Sequence, residues 1–406
     1  MLAKSNIALI CILACMLGLL ISPLILSVFT FLYGVNALRD VPLKKWPRNR
    51  WWLLGMAWIA CYALTWFWSE DKHRWGGELQ ILLPAMLLPL AYIHMPVLSA
   101  RQVSIMNTGV CLILLGGIAY SLSFLAKDPD LYIAQYGYSH LLPTPCEQDH
   151  IRFSLAIVLS MIWCVYSWPQ LQSRVVRWVV GISMAIMVVY LHILAAKVGI
   201  GAVYLFFVCW GIYIAIARRR WAGLLVIVAI PVVVLLSIKF IPTFDMRQQY
   251  LHYSWVMLEQ KDKSGNYGDI NRMYSYKIAL RLIKQHPMGG VGAGDIMAEM
   301  KNGYAQWHPQ VDEKSVLIPH NQFLVVALAC GIPAMLLFAA WVFFPLVWLR
   351  RNRQSFFFFV VWLILLVELM IEPVLEIQNG VFVYLFFLLL FLAEMRRAGS
   401  VPAELK

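Results

Sequence analysis

KVGIGAVYLFFVCWGIYIAIARRRWAGLLVIVAIPVVVLLSIKF, residues 197–240, decides the architecture. Two apolar runs, Val198 to Ala217 and Trp221 to Phe240, are separated only by Arg218, Arg219 and Arg220. Each run has about the 20 residues that carry a helix across a bilayer core. Arginine and lysine collect in loops on the cytoplasmic side, so the triplet reads as an inside turn between two crossings. Lys197, before the first run, and Ile241, after the second, then fall on the outer side.

The rest of the chain repeats this pattern. Of 406 residues 61% are hydrophobic and 14% aromatic, with a mean hydropathy of +0.71, which excludes a string of soluble domains. The remaining apolar runs are Ile7 to Asn36, Trp51 to Trp68, Leu79 to His94, Val103 to Leu125, Phe153 to Trp168, Val175 to Ala195, Asn321 to Leu349, Phe356 to Ile371 and Val381 to Leu392. Ile7 to Asn36 is too long for one crossing and holds Pro23 near its middle, so it reads as a hairpin of two. The expectation is an all-α polytopic membrane protein with about twelve transmembrane helices. Its opening run is too long for a cleavable signal peptide.

Basic clusters at Arg39 to Arg50, Arg174 and Arg177, Arg218 to Arg220, Arg350 to Arg353, and Arg396 and Arg397 share one parity and mark the inside. By topology the chain divides into 1–240 with helices one to nine, an outward segment 241–319, and 320–406 with helices ten to twelve and a cytoplasmic tail. The net charge of +12, 33 basic against 21 acidic residues, is accounted for in part by the inside loops and does not call for nucleic acid. An outward excess remains. Lys197 sits in a turn almost without loop, and Arg152 opens a helix after Cys146-Glu147-Gln148-Asp149. Each alone reads as a snorkelling anchor, and together with Arg272 and His320 as cations around an anionic headgroup. Seven of the eight cysteines lie in apolar spans and Cys146 in a loop, with neither disulfide nor zinc spacing.

The outward segment holds most of the chemistry. Asp269 to Gln285 reads as a helix capped by Asp269 or Asn271, with Arg272 in its first turn. Lys277, Arg281 and Lys284 share one face opposite Ile278, Leu282 and Ile283, either as a solvated face or as a contact for phosphorylated sugars. Gly289 to Asp295 (GGVGAGD) lacks the Lys-Ser/Thr of a P-loop and reads as a turn, with phosphate binding by its N–H groups as the lesser alternative; Asp295 is placed to cap the next helix. Asp128-Pro129-Asp130 reads as a turn rather than a metal site. Glu368, Glu372 and Glu376 recur every four residues, as partners for the cations or as part of an acceptor site.

These features resemble a family. The pattern runs from Asn271-Arg272 to His286-Pro287, through Gly290-Val291-Gly292-Ala293-Gly294, to His320-Asn321-Gln322-Phe323-Leu324 opening a helix. With about a dozen spans and one long outward segment between the ninth and tenth, it is similar to the bacterial O-antigen ligases, whose superfamily includes O-antigen polymerases and O-linking oligosaccharyltransferases. The specific motif lies within 195–332. The resemblance implies the helical membrane glycosyltransferase architecture called GT-C. It also implies a donor glycan on undecaprenyl diphosphate, a lipid A-core acceptor, a site at the periplasmic face of the inner membrane, and neither cofactor nor required metal. It makes His320 and Arg272 functional residues and puts Lys197 where many members have arginine. Lysine keeps the charge there but not the bidentate fork.

A sugar on a diphosphate already carries a good leaving group, so Arg272 and Lys197 need only neutralise the departing oxygen. The acceptor hydroxyl needs a base that is neutral near pH 7, for which histidine is suited; His320 is the candidate, with a cation expected beside it. Arg152, Asn321, Gln322, Lys277 and Arg281 are candidate substrate-binding residues. Direct displacement inverts the anomeric centre. A polymerase would use the same donor with another acceptor. A transporter of lipid or polysaccharide would show internal repeats and charges near mid-membrane, which the sequence does not display.

Overall fold

The computed structural model describes residues 3–39, 50–146, 149–217, 219–259, 268–397 and 399. Lys44, Lys45 and Arg48 of the Arg39 to Arg50 cluster, with Glu147, Gln148 and Arg218, lie outside the described residues, as does the side chain of Asp269.

The described chain is helical. In order the helices are α1 (Lys4–Ile21), α2 (Pro23–Leu38), α3 (Arg50–Leu64), α4 (Lys72–Ile93), α5 (Ala100–Lys127), α6 (Pro129–Tyr136), α7 (His150–Ser167), α8 (Arg174–Leu194), α9 (Lys197–Ala217), α10 (Ala222–Phe240), α11 (Pro242–Glu259), α12 (Gly268–Gln285), α13 (Ile296–Trp307), α14 (Gln322–Cys330), α15 (Ile332–Phe343), α16 (Arg353–Ile371) and α17 (Gln378–Arg397). Eight of them, α1, α5, α7 to α10, α16 and α17, are long and apolar enough to cross a membrane, and α2 and α15 are shorter apolar helices. The twelve expected crossings included stretches that fold otherwise. Ile7 to Asn36 does divide, at Ser22, into α1 and α2. Trp51 to Trp68 ends its α-helix at Leu64 and finishes as a 3₁₀ turn. Asn321 to Leu349 is broken at Gly331, which has φ +86°.

The chain forms two compact units, one of Met1–Arg39 with Met95–Tyr253, the other of Asp40–His94 with Ser254–Lys406. In the first, α8 ends at Leu194 and α9 starts at Lys197, with Ala195 in the left-handed region (φ +50°) making the tight turn. Asp128 caps α6 by accepting from the Leu131 N–H, so Asp128-Pro129-Asp130 is a helix start. α10 leaves most of its apolar side chains exposed, as a lipid-facing helix does.

In the second unit α17 is buried almost from end to end, packed on α4 and α16. Trp51 of α3 stacks on Trp341 of α15 at 5.7 Å, and its indole N–H donates to the Trp341 carbonyl at 2.8 Å. α14 lies against α12, α15 and α16. His320 stands just before its N-cap Asn321, and its far end receives the glycine turn.

Candidate active site

The glycine turn is structural. Gly290 has φ +67° and its Cα stands so near the α14 end that a Cβ would lie 2.4 Å from the Ala329 carbonyl carbon. From residue 290 to 295 every backbone N–H is used within the protein, by the carbonyls of His286, Leu328, Ala329 and Gly292 and the hydroxyls of Thr65 and Ser69. Those six N–H groups are not available to a phosphate, which favours the turn of the two sequence readings. Asp295 occupies the N-cap position of α13 but makes no cap bond. Its carboxylate accepts instead from the backbone N–H groups of Glu70 and Asp71, at 2.8 and 2.9 Å, stitching the turn to the start of α4.

On α12 the periodicity holds: Ile278, Leu282 and Ile283 are buried while Lys277, Arg281 and Lys284 are exposed. Asn271 lies inside this helix rather than at its cap, with its amide donating towards the Ser315 carbonyl at 3.5 Å. Arg272, one residue on, reaches Glu372 at 2.9 Å.

Glu372 joins the cluster together. Just beyond the end of α16, its side chain is only 5% exposed and holds Arg272 through Oε1 and the Nδ1 of His320 through Oε2, at 3.0 Å. A buried carboxylate needs such compensation, and removing one partner of a buried pair is costly. The group touching the His320 ring is therefore a carboxylate, not the cation expected from the sequence. With Nδ1–H donating to Glu372, the lone pair lies on Nε2, for which no described residue is a partner. The His320 carbonyl accepts from the Tyr276 hydroxyl of α12 at 2.6 Å, so its backbone is pinned as well as its ring. Arg272 is about one-third exposed, which leaves guanidinium donors beyond the one spent on Glu372.

Asn321 and Gln322, the candidates for substrate binding beside His320, both make bonds within the protein. Asn321 caps α14, accepting from the Leu324 N–H at 3.1 Å, and donates to the Met370 carbonyl at 3.1 Å. Gln322 is 1% exposed; its amide donates to Glu376 at 2.8 Å and accepts from the Leu375 N–H at 2.7 Å. Both side chains lock the head of α14 to the 370–376 turn.

Arg281 and Lys277 border an aromatic surface. The Arg281 guanidinium lies 5.0 Å from the Trp307 ring, and His308 stacks on Tyr274 with centroids 4.0 Å apart. Burial, then the charges of Arg281 and Lys277, push the His308 imidazole below its ordinary value.

Lys197 and Arg152 belong to the first unit. Lys197 is the exposed first residue of α9. Arg152 is buried in the first turn of α7, 3.5 Å from Asp149, the residue that caps that helix. Among the described residues no three His, Cys, Asp or Glu side chains gather as a set able to hold a metal ion.

Glu372 was one of three spaced glutamates whose role the sequence left open; the four-residue spacing was its signal. Tyr276 and Glu78, the latter in contact with Glu376, gave no signal, because their partners are distant in the chain.

The chain is thus a multi-helix membrane protein in which the Glu372 carboxylate joins His320 to Arg272 ahead of α14. Residues 179–339, about two-fifths of the chain, match the family model described as O-antigen ligase. The match contains Lys197, Arg272, His320 and Gln322. No curated protein matches the chain.

Proposed function

We propose that the chain is a membrane glycosyltransferase of the O-antigen ligase type, moving a glycan from a polyprenyl diphosphate to a hydroxyl of a lipid A-core oligosaccharide at the periplasmic face of the inner membrane. The carrying observation is the His320 imidazole held through Nδ1 by Glu372, which is itself held by Arg272. The acceptor oxygen attacks the anomeric carbon as its proton passes to His320 Nε2. The bond from that carbon to the diphosphate breaks, the electron pair leaves on the lipid diphosphate, and the configuration inverts. Arg272 meets the charge growing on the diphosphate with the donors that Glu372 does not use. Glu372 orients the base and stabilises the imidazolium formed.

Exposed Arg281 and Lys277, beside half-buried Trp307 and His308, suit an acceptor whose core sugars are phosphorylated, since cations meet phosphate. Lys197 is a cation at the mouth of α9 for an anionic headgroup, as a point charge, whereas Arg152 at the mouth of α7 is buried against Asp149. The GT-C architecture is part of the same proposal.

The test is transfer by purified protein given lipid-linked glycan and core-lipid acceptor, with and without chelator. Transfer to the core lipid that withstands chelator supports the reading. Extension of the lipid-linked glycan instead of transfer makes the protein a polymerase, and abolition by chelator overturns the metal-independent mechanism.

A further inference from the structure

Behind the cluster lies a second pair of acidic groups that the reaction above does not use. Glu376, in the 3₁₀ turn Val374–Glu376, is half-buried, with its carboxyl turned onto Gln322 and into hydrogen-bond contact with the carboxyl of Glu78 on α4. Glu78 is 15% exposed and lies 3.7 Å from the Arg74 guanidinium. Tyr62 of α3 feels the charge of both carboxyls and Cys330 of α14 that of Glu376, while Arg74 brings the nearby positive charge.

Two carboxylates in contact away from water repel each other, and neither can donate a hydrogen bond while both are ionised. One proton between them supplies the missing donor, as in paired-carboxylate sites generally. The location gives that proton a consequence. Glu376 and Leu375 are tied to Gln322, two residues beyond His320, while Glu372 at the other end of the same turn is tied to His320 itself. The short segment 372–376 is thus fastened at both ends to the head of α14.

We propose that Glu78 and Glu376 hold one proton between them and, with Gln322, form a clasp that positions the 372–376 turn so that Glu372 meets His320. These are positioning residues, and their effect on turnover rests on the transferase reading above; the shared proton does not.

Burial, followed by the neighbouring Glu78 carboxylate, pushes Glu376 up to about 8. Because this lies above the ordinary value of 4.5, the proton belongs to the folded state. Its contribution to stability is whole below about 4.5 and is lost as pH rises through about 8. Turnover therefore has an alkaline limb set by the clasp.

The experiment uses the full-length detergent-purified protein. Infrared titration is expected to show a protonated-carboxyl stretch that fades as pH rises through about 8 and is missing from Glu376→Gln. That substitution keeps an acceptor for Gln322 and gives Glu78 a permanent donor, so it retains kcat and loses both the alkaline limb and the alkaline fall in thermal stability. Glu78→Gln is expected to move the limb as well. Glu376→Leu, which breaks the clasp, lowers kcat roughly tenfold with KM little changed; if it does not fold, the two amide variants still decide. A carboxyl band that persists in Glu376→Gln, or an alkaline limb identical to the wild type in both amide variants, overturns the clasp. A band that behaves as stated in a protein without transferase activity keeps the proton pair and removes the transferase reading.

Discussion

His192 and His320 both stand at helix ends, and their surroundings separate them. His192, in the last turn of α8, is 3% exposed and has both ring nitrogens engaged, Nδ1 with the Val188 carbonyl at 2.8 Å and Nε2 with the Tyr204 hydroxyl at 2.7 Å. His320, ahead of α14, keeps a side chain 17% exposed, with Nδ1 on a carboxylate and Nε2 without a described partner. An imidazole with both nitrogens consumed is part of the packing. One pinned through a single nitrogen keeps the other for the proton transfer proposed above. The residue type is the same, and what the neighbours leave unused decides the role.

The sharpest way to break this contrast is to treat both sides alike. Glu372→Ala removes the group that orients His320 and holds Arg272, and is expected to lower kcat on the order of 10²–10⁴-fold in a transfer assay. His192→Ala is expected to lower the melting temperature, with kcat per folded molecule near wild type, because it costs about 1–3 kcal/mol of buried hydrogen bonding and no chemistry. Equal losses of kcat in the two variants would erase the distinction. Next in size, Arg272→Lys keeps the charge but loses the fork that spans Glu372 and the leaving diphosphate; a fall of roughly tenfold in kcat is expected, measured at saturating donor. Asp295→Ala leaves the Glu70 and Asp71 N–H groups without their acceptor and is expected to cost about 1–3 kcal/mol in thermal unfolding. Lys277→Ala with Arg281→Ala is the mildest, a few-fold rise in acceptor KM that shrinks as salt is added, since both side chains are exposed and screened.

The sequence made the helices legible wherever one pattern governed them. Apolar length gave the membrane class, Pro23 gave the break between α1 and α2, and the 3.6-residue period placed Lys277, Arg281 and Lys284 on the exposed face of α12. It was less informative where several elements competed for one side chain. Asp295 has the position and residue type of a helix cap, yet two N–H groups some 225 residues away in sequence take its carboxylate. Gln322 reads as a polar residue close to His320, suited to a sugar, but packing buries it and both ends of its amide are bonded to the 375–376 turn. His320 and Arg272 were visible through the family pattern, while the carboxylate between them was one glutamate among three. The Glu78–Glu376 contact could not be read at all, because nothing in local spacing connects α4 to a turn almost three hundred residues later.

The most direct measurement is initial-rate transfer by purified wild-type and His320→Ala proteins, with lipid-linked glycan and core-lipid acceptor both saturating and folding matched by melting temperature. The account predicts that the variant still binds donor and transfers on the order of 10²-fold more slowly or worse. A folded His320→Ala protein working at the wild-type rate would contradict it.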